Sequence, residues 1–435
     1  MTFNESVNIL FLFFSAPVIV SANTRYLRIR TQYLKMSRKT KNKHAIIDYS
    51  LFSLINDQPA PCLRDILVSP ELCRYLKENG VAGVLFYHLQ KADLGQLAPP
   101  DVNIAIHNRF LSQVRRNMAC AAAAKSVFNL LHATGIPFLV LKGIALAEHV
   151  YPHFAMRTTS DLDILIHKED LLRADLAMGK AGYHAQDSTP EQALLNPPGY
   201  LASLEYHKPG TAFAYVHLHW HLINTSTPAI YFIKKVDMER IWEKSVIANV
   251  ADAEVRLLCP EHLIIYLCEH ALRVGHSFDR LILICDILYT IKTYNDHLAW
   301  DSIAAEAKSL GLLNFTYLGL KIVQFYGGEE FLNNAILKEF APPSLSWTER
   351  LFISLQKNHY RIRGSSYLVY LALSKGPLNK AHLVMRTFFP PRPILAQRRR
   401  YKNCKQTHTL YFERIREIIT YLTRIMKLIH RIIHP

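Results

Sequence analysis

The spacing of apolar positions changes several times along this chain, and each change marks an element. Residues 45–100 read as short helices broken by Pro59-Ala60-Pro61 and by Pro99-Pro100. From Asp101 to Ala133 the pattern is helical, with Ala119 to Ala124 as its strongest helix-forming stretch. Gly135 and Pro137 stop that helix. Phe138 to Leu141 is a short apolar run of the kind that forms a buried strand, and it ends at Lys142-Gly143. A helical piece (Ala145 to Val150), a loop through Tyr151-Pro152 and a second strand (Asp161 to Ile166) follow. The next pattern is a charged amphipathic helix from Lys168 to Ala181, after which Gly182-Tyr183-His184 fits a turn into another strand.

Leu204 to His207, the turn Lys208-Pro209-Gly210-Thr211, and Ala212 to Leu222 read as a strand–turn–strand hairpin. Beyond about Asp237 the pattern predicts helix to the end, with Leu263, Leu267, His270, Leu281, Ile284 and Ile287 facing inward. This succession predicts an α+β chain in four parts. They are a leader (1–44), an N-terminal helical region (45–120), a core with a small mixed sheet (121–236) and a C-terminal helical region (237–435). There is no internal repeat and no low-complexity tract.

Half of the 435 residues are hydrophobic and a fifth are charged, ample for a globular core. The formal charge of +16 is concentrated at the ends: residues 1–43 carry +7 and residues 375–435 carry +12, so the body between them carries −3. Basic ends can touch nucleic acid, anionic lipid or an acidic partner, or simply stay solvated. The seven cysteines are scattered with no CxxC pair, which suits free thiols in a reducing, cytoplasmic setting. Asn8 to Ala22 is apolar but short for a membrane span. Val20-Ser21-Ala22 resembles a cleavage site, yet the preceding residues carry Glu5 and no Lys or Arg, against a secretory signal. Met36-Ser37-Arg38-Lys39 reads as a cytosolic start, which puts translation of residues 1–35 in question.

Candidate chemistry lies in the second strand. Side chains at i and i+2 share a strand face, so Asp161 and Asp163 point the same way, opposite to Leu162, Ile164 and Ile166. Two neighbouring carboxylates repel unless a cation lies between them. A divalent ion is the common remedy, and all-oxygen ligands favour Mg²⁺ or Mn²⁺. The plainer alternative is an exposed pair on a sheet edge. Upstream, Lys142-Gly143 turns from strand into helix, a geometry that aims backbone N–H groups at phosphate.

Strand, glycine turn, helix, then a strand bearing DxD is the layout of the DNA polymerase β-like nucleotidyltransferase fold, and the wording here resembles a narrower group within it. That group is the uncharacterised nucleotidyltransferase family marked by LKG-x-AL, a Tyr-Pro and Arg-x-x-x-D-x-D. The matching residues are Leu141-Lys142-Gly143-Ile144-Ala145-Leu146, Tyr151-Pro152 and Arg157-Thr158-Thr159-Ser160-Asp161-Leu162-Asp163. The resemblance continues into Leu218-His219-Trp220, is fainter around His270, Asp286 and Tyr401, and spans roughly residues 100–420. Only the segment from 139 to 166 is distinctive. It implies attack of an acceptor on the α-phosphorus of an NTP with release of pyrophosphate. It further implies a Mg²⁺ (or Mn²⁺) ion on Asp161 and Asp163, with Lys142, Gly143, Arg157 and Ser160 on the phosphate side. Arg157 has a second reading, a salt bridge to Asp161.

One position departs from the family. A third acid is expected just before Leu-His-Trp, and this chain has His217 there, within Val216-His217-Leu218-His219-Trp220-His221. His217, His219 and His221 share one strand face by period. Three readings stand. His217 serves as general base or as a ligand to Mn²⁺ or Zn²⁺; Asp187 or Glu205 supplies the acid; or the site binds nucleotide without turning it over. The triple histidine also suits a separate zinc site, or a partly buried, hydrogen-bonded strand face.

His270 and Asp286 read as satisfied core groups. The last helix carries an apolar stripe from Tyr411 to Ile433, with Arg414, Arg416, Arg424, Lys427 and Arg431 between. Such a helix packs on its own domain or a partner, or lies on an anionic membrane as a peripheral contact. No motif for specific nucleic-acid binding is present. The acceptor (sugar, other small molecule, protein side chain or RNA end) is open.

Overall fold

The computed structural model describes residues 43–433 except 187–188, 196–201, 212–214, 224–235, 274, 375 and 391–406. The expectations about residues 1–35 and about Asp187 lie outside the described residues. Nine helices position the rest of the account: α1 (Lys43–Ile55), α2 (Pro100–Ala133), α3 (Ile144–His149), α4 (Leu171–Lys180), α5 (Pro260–Leu272), α6 (Leu281–Tyr294), α7 (Leu313–Gly327), α8 (Pro377–Phe388) and α9 (Thr407–Ile433). The strands are β1 (Phe138–Val140), β2 (Leu162–Ile166), β3 (His184–Ala185), β4 (Ser203–His207), β5 (Tyr215–His219), β6 (Val246–Val250) and β7 (Ala253–Leu257).

The strands form one mixed sheet in the order β3-β4-β5-β2-β1-β7-β6. β2 is central, antiparallel to β1 and parallel to β5. Alternation along β2 divides its side chains between two layers. Leu162, Ile164 and Ile166 join a core with Cys120, Val127 and Phe128 of α2 and Leu171 and Met178 of α4. Leu165, with Leu139 of β1, turns to the other face and joins the larger core that includes Leu263 and Leu267 of α5, Ile284 of α6 and Val323 of α7. The α+β expectation, a mixed sheet flanked by helices, is met. The N-terminal and C-terminal helical regions share a single core, since Leu51, Phe52 and Leu85 belong to the same cluster as α5 to α7.

Helix throughout from residue 237 is corrected. Val246–Val250 and Ala253–Leu257 form an antiparallel hairpin that extends the sheet beside β1. The signal was in the residues: Ala253, Val255 and Leu257 alternate with Glu254 and Arg256, and the first two of the three are buried. Its tight turn escapes notice because Ala251 (φ 51°) and Asp252 (φ 56°) take the left-handed conformation without a glycine.

In α9, Leu410 is buried, and the Tyr411 hydroxyl donates to the Pro390 carbonyl at 2.9 Å. Phe412, Ile415 and Ile419 are 66%, 42% and 58% exposed, so among the described residues nothing covers that strip. No helix among the described residues is long and apolar enough to cross a membrane.

Candidate functional site

β1 ends at Val140, and the chain turns sharply through Gly143 at φ 72°, ψ −118°, a region only glycine adopts without strain. A Cβ there would lie 3.1 Å from the Asp161 carbonyl oxygen, so the turn also needs a small residue to lie against the carboxylate strand. The loop leading into β2 is held by α2. Arg116 donates to the Thr159 carbonyl at 2.9 Å, and Asn117 donates to the carbonyls of Phe154 (2.6 Å) and Arg157 (2.9 Å).

Asp161 and Asp163 then emerge on the sheet face opposite to Leu162 and Ile164. The register places Asp163 beside His217 of β5, and His217 beside Glu205 of β4. Residues paired across neighbouring strands share a face, so these three side chains form a row. His217 Nδ1 lies 3.8 Å from Asp161 Oδ2 and 3.7 Å from Asp163 Oδ1, while its Nε2 lies 3.4 Å from Glu205 Oε2. His219 Nε2 lies 3.0 Å from Asp163 Oδ1. His221, expected on the same face, follows the end of β5 and turns to the backbone of Ile223.

Lys142 takes the other side of Asp163. Its ammonium donates to Asp163 Oδ2 and lies 3.8 Å from Asp161 Oδ2. The cation between the two carboxylates is therefore supplied by the chain itself. Ser160, expected on the phosphate side, donates its hydroxyl to Asp161 Oδ1 at 2.8 Å.

Burial alone would push the Asp163 carboxyl up. The Lys142 charge and the hydrogen bonds from both imidazoles instead hold it well below the usual carboxylate range. Burial likewise opposes a charge on His217, but its bonds to Asp163 and Glu205 and the charge of Asp161 lift it to about 10. His219 goes the other way: burial outweighs its bond to Asp163, and it is held neutral. Two adjacent imidazoles thus carry different charges. Buried His219 Nδ1 has no hydrogen-bond partner among the described residues.

Arg157 is where correction is needed. It was expected on phosphate oxygens or on Asp161. It is buried, with Nε 2.9 Å from Asp286 Oδ1 and Nη2 3.0 Å from Asp286 Oδ2. The Tyr151 hydroxyl donates to the same carboxylate at 2.7 Å. Asp286 lies 129 residues away on α6, and no local pattern announces the pair. Arg157 therefore ties the DxD loop to the helical layer.

Of the next three residues only His270 was named from the sequence, as a core group. Tyr266, His270 and Arg273 stand at i, i+4 and i+7 along and just past α5, and all are buried. Tyr266 and His270 both sense the charges of Lys142 and Asp163. Arg273 pairs with Glu269 at 2.7 Å, while the Tyr266 hydroxyl has no hydrogen-bond partner among the described residues. The i, i+4, i+7 spacing of a phenol, an imidazole and a guanidinium was the available signal.

With this geometry in hand, the comparison with known families is decisive. The model of a family described as uncharacterised nucleotidyltransferase matches residues 69–327, more than half of the chain. The chain belongs to that family. No curated protein matches, and no solved structure matches. Nucleotidyltransferases typically use a divalent metal. Among the described residues, Asp163, His217 and His219 offer ligand atoms that all lie within 4.8 Å of one another. The donors fit a divalent cation, but they are one carboxylate and two imidazoles, not the oxygen set expected for Mg²⁺.

Proposed function

We propose that the chain is a metal-dependent nucleotidyltransferase that moves an NMP from an NTP to an acceptor and releases pyrophosphate. The observation that supports it is the row Asp163–His217–Glu205, with Asp161 beside it and the Gly143 turn at its edge, in a member of a nucleotidyltransferase family. Asp161 and Asp163 would hold the ion; when bound, it neutralises charge on the triphosphate. Lys142, already on both carboxylates, keeps them paired when nothing else does and is placed to reach a phosphate oxygen of the same triphosphate. The acceptor's nucleophilic oxygen or nitrogen forms a bond to the α-phosphorus while the bond to the pyrophosphate oxygen breaks. His217 is placed to take the acceptor's proton, and can do so only after giving up its own. Glu205, 3.4 Å from its far nitrogen, orients the ring. Phe412, Ile415 and Ile419 support a peripheral membrane contact as part of the same proposal.

A second reading has an observation of its own. His217, held charged, fills the place of the third acid, which suits a nucleotide-binding module without turnover. Transfer of label from α-labelled NTP in cell extract, with Mg²⁺ or Mn²⁺, separates the readings. Transfer lost in the Asp161→Asn/Asp163→Asn double variant supports the enzyme. Metal-dependent nucleotide binding without transfer supports the module.

A further inference from the structure

We infer that Asp163, His217 and His219 form a mixed imidazole–carboxylate centre selective for a borderline transition ion, Zn²⁺ or Mn²⁺, over Mg²⁺. The inference rests on reading this face as the metal face, and it gives His217, once deprotonated, a ligating role in place of the proton-accepting one. Asp163 divides its two oxygens: Oδ2 takes Lys142, and Oδ1 faces the two imidazoles, with His219 Nε2 at 3.0 Å and His217 Nδ1 at 3.7 Å. An ion on the Oδ1 side therefore need not displace the ammonium. The three donors come from two hydrogen-bonded neighbouring strands, with Asp163 paired to His217 and His219 two residues further along. Their backbone spacing is fixed by the ladder and not by a loop.

The chemistry of the donors favours this choice. Mg²⁺ takes hard oxygen ligands in near-ideal octahedra and gains little from imidazole, whereas imidazole suits Zn²⁺ and other transition ions. Three protein ligands with one open side is the pattern of a reactive centre. Here Asp163 and His219 are enclosed while the His217 side chain is 28% exposed, which leaves that side open. The second observation is Glu205. Its carboxylate lies 3.4 Å from the His217 nitrogen that faces away from the aspartates. Carboxylate, imidazole and metal in line is the usual way a protein fixes the tautomer of a ligating histidine.

The test uses the full purified chain and the metals alone, by equilibrium dialysis of Zn²⁺, Mn²⁺ and Mg²⁺ and by visible absorption of added Co²⁺. Thermal unfolding of each variant checks that it folds. His217→Ala should weaken Zn²⁺ about 10- to 100-fold and alter the Co²⁺ spectrum, with Mg²⁺ nearly unchanged. His217→Asp should shift the Zn²⁺/Mg²⁺ ratio at least about tenfold toward Mg²⁺. Glu205→Gln should weaken Zn²⁺ about tenfold while keeping a perturbed Co²⁺ band, as expected of a positioning residue. Equal Zn²⁺ affinity in wild type, His217→Ala and His219→Ala, with all three folded, would overturn the proposal. So would a wild type that binds Mg²⁺ as tightly as Zn²⁺. Label transfer that persists in Mg²⁺ alongside either of these results would leave the nucleotidyltransferase reading intact, and Zn²⁺ selectivity without transfer would leave this one intact.

Discussion

Arg157→Met is the sharpest probe of how the site is held. It keeps most of the alkyl length but removes two hydrogen bonds to Asp286, whose residue is 1% exposed. Each hydrogen bond to a charged group contributes about 1.5–3 kcal/mol. Removing one partner of a buried pair typically costs about 3–5 kcal/mol, because the other charge remains in a dry environment. The Tyr151 hydroxyl still donates to Asp286, so the loss should sit toward the lower part of that range. Against a total stability of about 5–15 kcal/mol this is a large fraction. Urea unfolding of Arg157→Met, Asp286→Asn and the double variant measures it. Each single variant should lose about 3–4 kcal/mol, and the double variant should lose less than their sum by at least about 1 kcal/mol. A loss below about 1 kcal/mol, the range of exposed pairs, together with abolished nucleotide binding, would refute the structural role and return Arg157 to the phosphates.

Three other outcomes follow from particular contacts. His88 is buried with Nε2 2.7 Å from the Tyr289 hydroxyl, and burial together with nearby Lys292 and Lys91 lowers it to about 4. The folded state then resists protonation that the unfolded chain accepts at about 6.5. Stability is therefore full above that pH and falls as pH drops toward 4. Between pH 7 and 5 wild type should lose about 2 kcal/mol more than His88→Gln; equal losses would count against the assignment. Gly143→Ala forces a left-handed conformation and a 3.1 Å approach to Asp161 oxygen. It should cost about 1–3 kcal/mol in urea unfolding and weaken metal-dependent nucleotide binding, and an unchanged midpoint would contradict the strain. Removal of residues 405–435 should abolish salt-sensitive binding to anionic vesicles, given the exposed Phe412, Ile415 and Ile419 and the basic charge there; vesicle binding that survives the deletion would dismiss the contact.

Much of the sheet was legible because its strands differ in kind. Phe138 to Val140 is a continuous apolar run, β2 interrupts one with aspartates, and β4 and β5 flank Pro209-Gly210. The β6–β7 hairpin was not, since its turn lacks glycine and its neighbours are helical. Asp161, Asp163 and His217 were legible through their spacing, and the structure brings them together. Their partners were not. Glu205 was named only as one of two candidate acids and reaches His217 through strand register, while Asp286 reaches Arg157 across 129 residues, a pairing that one-dimensional pattern does not encode. Lys142 was legible as a cation near phosphate, but its pairing with both aspartates depends on the tight Gly143 turn.

The central claim is that this face transfers a nucleotidyl group. Wild type and the Asp161→Asn/Asp163→Asn variant, each incubated in parallel with α-labelled and γ-labelled NTP, test it most directly. The account predicts that acceptor label follows the α-phosphorus only, that γ-label leaves as pyrophosphate, and that both signals vanish in the variant. Label carried on the γ-phosphorus, or α-label that persists in the folded double variant, would contradict it.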